Sequence, residues 1–151
     1  MRFPLAVGVL VAVGVANAAP VPKGKPKPKD EDAILGAWVL DKFDGPDGPQ
    51  VDRGPIRFIF TKDGKFAVKL GGGEIGKQEP GRYKLDPTAK PKALDLTEIG
   101  GNSAPAIYEL DGDTLRICLA EGPNAARPTE FKATGKRVAV VTFKREKVAK
   151  K

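Results

Sequence analysis

Few side chains in this sequence are able to do chemistry, and their types narrow the options. There is no histidine, so neither a Ser-His or Cys-His nucleophile nor a histidine metal site can be assembled. Ser103 is the sole serine, in a Gly/Pro-flanked stretch with no base in sequence view. Cys118 is the single cysteine. Between Ile117 and Leu119 it reads as a buried structural thiol. A reactive thiolate would need a cationic neighbour, and Arg116, two residues away on the same strand face, keeps that second reading open. Among the carboxylates, Asp111 and Asp113 flank Gly112 as hairpin-turn residues do. Asp44, Asp47 and Asp52 offer oxygens to calcium, but Pro46 and Pro49 break the spacing of an EF-type loop. Asp95 is expected on the surface or in an ion pair with an Arg of a neighbouring strand. The Gly71-Gly72-Gly73 run precedes no helix, so it is a loop and not a phosphate cradle. The chain is therefore expected not to be an enzyme and to need no cofactor or metal.

The elements around these residues read as strands. Apolar residues alternate with polar ones through Trp38 and Leu40, then Ile56, Phe58 and Phe60, then Phe66, Val68 and Leu70. The pattern continues at Tyr83 and Leu85, at Leu94 and Leu96, at Tyr108 and Leu110, and at Leu115, Ile117 and Leu119. A last strand is expected over Arg137 to Phe143. Asp-Gly at 63–64 suits a type I′ hairpin turn. Gly100 to Pro105 and residues 121 to 128 are expected to be loops. Eight short strands with no long helical period suggest a closed antiparallel barrel or a sandwich.

The ends of the chain differ in kind. Arg2, the apolar run Leu5 to Val15 and the small residues Ala16-Asn17-Ala18 form a signal peptide over residues 1–18. The apolar run is shorter than the ~20 residues that a spanning helix needs. Mature protein is expected to start near Ala19 and to be secreted or periplasmic. Residues 19–32 form a Pro/Lys-rich tether, expected to be disordered, in which Asp30-Glu31-Asp32 cap one short helical turn. A folded domain follows over 33–145, and a basic tail over 146–151. A domain of about 115 residues can bury a sufficient core without disulfides.

The formal charge is +7, carried almost wholly by those ends. Residues 33–143 hold 16 Lys+Arg against 15 Asp+Glu. The excess lies in Lys23, Lys25, Lys27 and Lys29 in front and in Lys144, Arg145, Lys147, Lys150 and Lys151 behind. Such tails are spacers, or they meet an anionic envelope surface as charge. No nucleic-acid partner is expected, and the protein is expected to be a monomer.

Gly36-x-Trp38 on the first strand, with Arg145 or Lys144 after the last, resembles the lipocalin signature. The fuller set is Gly81-x-Tyr83-x-Leu85-Asp86-Pro87-Thr88, Pro91-Lys92-x-Leu94-Asp95-Leu96, Ile107-Tyr108-x-Leu110-Asp111-Gly112-Asp113-x-Leu115-Arg116-Ile117-Cys118 and Arg127-Pro128-x-x-Phe131. It resembles an uncharacterised lipocalin-like domain family abundant in planctomycete-type bacteria. The resemblance covers residues 33 to 145. It implies an all-β, eight-stranded antiparallel lipocalin-like barrel with Trp38 sealing one end under the cation of Arg145, and it implies no established activity. An eight-stranded barrel is filled by side chains or holds one small ligand. Trp38, Phe58, Phe60, Phe66, Tyr83 and Tyr108 serve either purpose. The expected function is non-catalytic binding of a small apolar or amphipathic ligand at the open barrel end, with Tyr83, Tyr108, Arg116 and Arg127 as contacts. The alternative is a structural or interaction protein of the cell envelope with a filled barrel.

Overall fold

A computed structural model describes residues 26–46, 54–71 and 80–147. The expected signal peptide, Lys23, Lys25, Asp47, Asp52, the expected Gly72-Gly73 loop, Lys150 and Lys151 lie outside the described residues. The elements are α1 (Asp30–Ala33), β1 (Gly36–Asp44), β2 (Ile56–Phe60), β3 (Lys65–Leu70), β4 (Gly81–Asp86), β5 (Ala93–Thr97), β6 (Ser103–Asp111), β7 (Thr114–Ala120) and β8 (Val138–Arg145). The eight strands close into an antiparallel barrel in sequence order, with β8 returning to β1. This is compatible with a lipocalin-like fold.

Period-two alternation decides which side chains face the lumen. Trp38, Phe60, Phe66, Leu94, Leu96, Tyr108, Leu115, Ile117 and Phe143 point inward and are buried in one core. A bulge between Leu40 and Lys42 resets the alternation in β1. The extra residue, Asp41, lets Leu40 and Phe43 both face the core, opposite Phe143 and Val141. Without it, Phe43 would turn out to solvent.

Several boundaries differ from the sequence reading. β6 begins at Ser103, so Pro105 lies inside a strand. It is tolerated because the β7 partnership runs only as far as Ala106, which faces Leu119, so the missing N–H leaves no rung unfilled. β8 runs on to Arg145, which therefore lies within the strand and pairs with Trp38. The β2–β3 turn is not type I′. Positive φ is confined to Gly64 (77°), and Gly64 N–H donates to Thr61 O at 3.1 Å, which fits a type I turn with the glycine closing a bulge. At Gly112–Asp113 only the glycine has positive φ (56°), as in a type II′ turn.

The β3–β4 seam carries only the Lys65↔Arg82 and Phe66↔Gly81 rungs among the described residues. Two aromatic residues brace it. The Phe66 ring lies so close over Gly81 that a Cβ there would come within 2.5 Å of it. Tyr83 O–H donates to Thr61 O at 2.9 Å, and its ring meets Phe60 edge-on at 5.0 Å.

Candidate functional site

The rim where β1 begins and β8 ends is sealed. Ile34 and Trp38 are fully buried there, and Trp38 Nε1 donates to Ile34 O at 2.7 Å. The Arg145 guanidinium lies 4.2 Å from the Trp38 ring centre, the distance of a cation–π contact. Its N–H groups donate to Leu35 O at 2.9 Å and to Ala33 O, which satisfies the last carbonyls around α1. Nε also faces Asp113 at 3.3 Å. Gly36 makes this possible, because its φ of 109° is a backbone conformation that residues with a Cβ rarely adopt. Arg145, and not Lys144, takes the stacked place. Lys144 turns outward and donates to Thr114 Oγ1 at 2.8 Å.

α1 is tied to the same rim by Asp30. The sequence pattern predicts this carboxylate as a helix cap, but the N-cap position is Lys29 and no side chain caps the helix. Asp30 Oδ2 instead accepts from Lys92 Nζ and from Tyr108 O–H, each at 2.7 Å. Burial pushes the Asp30 carboxyl up, but its hydrogen bonds with Lys92 and Tyr108 outweigh that and hold it below the usual range. Burial and the Asp30 carboxylate push the Tyr108 phenol well up.

The four residues expected to meet a ligand are not gathered in one place. Tyr83 braces the β3–β4 seam and Tyr108 the sealed rim. Burial, with Asp63 nearby, pushes the Tyr83 phenol up. Arg116 lies on the outer wall, 3.7 Å from Glu109 and 4.9 Å from the Phe131 ring centre. Arg127 is also on the outer wall. It donates to Leu94 O at 3.2 Å, Ala106 O at 2.7 Å and Asp95 Oδ1 at 2.6 Å. Asp95 thus has an arginine partner, supplied by a loop instead of a neighbouring strand.

A second apolar cluster accompanies these arginines. Ile107, Cys118 and Val140 are register neighbours across β6, β7 and β8, and all face away from the lumen. Phe131 and Val138 pack over them. Cys118 is buried under this cover. Burial pushes its thiol up despite Arg116, so it lacks the thiolate character of a reactive cysteine.

Beside Arg127 this wall is indented by a groove of about 410 Å³. Ala89, Pro91, Ala93 and Pro128 supply apolar surface, and Lys84, Asp86, Lys90 and Asp95 the charges. The sequence does not place Lys84 and Lys90 in one groove with Arg127, because nothing in their spacing ties the 87–92 turn to the 121–137 loop.

The lumen is unevenly covered. Toward the sealed rim Ile34, Trp38, Tyr108 and Leu115 are fully buried, while Tyr83, Leu85 and Leu110 are partly buried. Toward the far rim Phe43, Phe58, Val68, Ala104 and Leu119 are only half-buried, and Leu70 is 50% exposed. Among the described residues no three His, Cys, Asp or Glu side chains gather to hold a metal ion, and no helix is long and apolar enough to cross a membrane. No protein-family model matches the sequence, and no curated protein matches it.

Proposed function

We propose that this chain is an exported, non-catalytic binding module that takes one small apolar or amphipathic ligand through the far rim of its barrel. The observation that carries this reading is the incomplete cover of the far rim. Burying apolar surface gains ~25 cal/mol per Å², and Phe43, Phe58, Val68 and above all Leu70 fall short of that gain there. An apolar guest would supply the missing contacts. Export rests on Arg2, the apolar run and Ala16-Asn17-Ala18, with cleavage near Ala19 and a secreted or periplasmic location. The motif set from Gly81 to Phe131 supports membership of the uncharacterised planctomycete-type family it resembles.

The test is native mass spectrometry of protein purified from its own envelope, followed by titration of the delipidated protein with a fluorescent fatty acid. A retained apolar molecule and saturable uptake, abolished in Val68→Trp, are the expected results. No bound molecule and no saturable uptake would sink the reading. The second reading, a structural or interaction protein of the envelope, is favoured by one observation: Tyr83, Tyr108 and Arg116 are all engaged by the protein's own groups.

A further inference from the structure

We propose that the outer-wall groove beside Arg127 is a second binding site, independent of the lumen, for a small amphipathic anion. Its carboxylate or phosphate headgroup meets Arg127, Lys84 and Lys90, and its short apolar body lies on Ala89, Pro91, Ala93 and Pro128.

Three observations lead there. The first is size: about 410 Å³ falls within the ~300–1,000 Å³ of small-ligand sites. The second is charge. Three cations line the groove with two carboxylates, and both acids accept hydrogen bonds from the protein itself. Asp86 accepts from Thr88 N–H at 3.1 Å and Thr88 Oγ1 at 2.6 Å. Asp95 accepts from Arg127 at 2.6 Å. Lys84 and Lys90 make no ion pair among the described residues, and with Arg127 paired to Asp95 these two lysines outweigh the one remaining carboxylate, Asp86, so the balance of the groove is positive.

The third observation is the posture of Arg127. A guanidinium has five N–H donors in a planar fork. Leu94 O, Ala106 O and Asp95 Oδ1 take one each. That fixes the plane and leaves an Nε–H and an Nη2–H without a partner among the described residues. A donor pair held in place by its own backbone contacts loses little freedom on meeting an anion, and such a fork matches carboxylate and phosphate oxygens. The apolar patch beside it favours an anion that carries a hydrocarbon body over a bare ion.

The experiment is a ¹⁵N NMR titration of the purified protein with octyl phosphate, with inorganic phosphate and neutral octyl glucoside in parallel. Octyl phosphate is expected to bind saturably, shifting amides at Ala89–Ala93 and Arg127–Thr129. Inorganic phosphate should bind more weakly there, and octyl glucoside should leave those amides unmoved. Lys84→Ala/Lys90→Ala, which touches no buried contact, is expected to weaken octyl phosphate about tenfold or more, from the loss of charge-assisted hydrogen bonds. Three results would overturn the proposal: shifts confined to lumen residues such as Phe58 and Val68, equal affinity for octyl glucoside, or undiminished affinity in the double variant.

Discussion

The sealed rim and the outer wall solve the same problem with different materials. Both cover an apolar surface with a segment that has little regular structure. At the rim the cover is α1, four residues long, and polar groups hold it down: Trp38 Nε1 on Ile34 O, Arg145 on Ala33 O and Leu35 O, and Asp30 on Lys92 and Tyr108. On the wall the cover is the 121–137 loop, held by the Phe131 ring and by the fork of Arg127. The rim cover closes the main core, so losing it opens the whole barrel. The wall cover shields a satellite cluster of Ile107, Cys118 and Val140, so losing it opens only that face. Stability in this fold is thus local on one side and global on the other.

Trp38→Ala should break the comparison hardest. It removes the largest fully buried side chain and the platform of Arg145, at a cost of about 3–5 kcal/mol. Urea unfolding followed by circular dichroism should show the loss, and a shift below 1 kcal/mol would mean that the rim is not a keystone. Phe131→Ala comes next. Its ring is half-buried, so about 1–2 kcal/mol is expected. The sharper readout is Cys118. A thiol reagent under native conditions should label it many-fold faster in Phe131→Ala than a fall in global stability explains. Labelling that tracks global unfolding alone would erase the distinction between the two covers.

The smallest effect concerns pH. The folded-state pKa of Asp30 is depressed, so the stability it contributes is present above its unfolded value, 3.8, and is lost as pH falls through the folded value. Asp63 and Asp86 are also lowered by local hydrogen bonds and share that window. The difference between the protein and Asp30→Asn therefore isolates the rim. The gap in melting temperature should be widest at neutral pH and close as pH drops below about 4. A gap that does not change with pH would remove Asp30 from the hold on α1.

Much of this was legible from residue order. Alternation locates the eight strands, and the resemblance carried by Gly36, Trp38 and Arg145 anticipates the stacked pair. Other features escaped for physical reasons. The Asp41 bulge leaves no mark in composition, since one inserted polar residue looks like any other. Asp30 sits where a capping residue belongs, and its true partners, Lys92 and Tyr108, lie 62 and 78 residues away. Cys118 reads as buried, but what buries it is Phe131, in a loop with no periodicity to place it. Arg127 finds two backbone carbonyls, which every residue possesses and no side-chain pattern can advertise. Tyr83 and Tyr108 are aromatic groups with polar tips, and that chemistry suits a brace as well as it suits a binding contact.

The rim has a mechanical consequence as well. β1 begins and β8 ends side by side, with Trp38 opposite Arg145 and Glu146 N–H donating to Ala37 O at 2.9 Å. A tension applied through the residues just before α1 and just after β8 would pull apart two neighbouring antiparallel strands from the same end. That geometry peels rungs singly, like a zip, instead of shearing them together. The Arg145 stack, its carbonyl bonds to α1 and the Arg57–Glu146 pair at 2.8 Å stand at the mouth of that zip. They take the load before any strand does, and the force the barrel withstands is set by how long they hold.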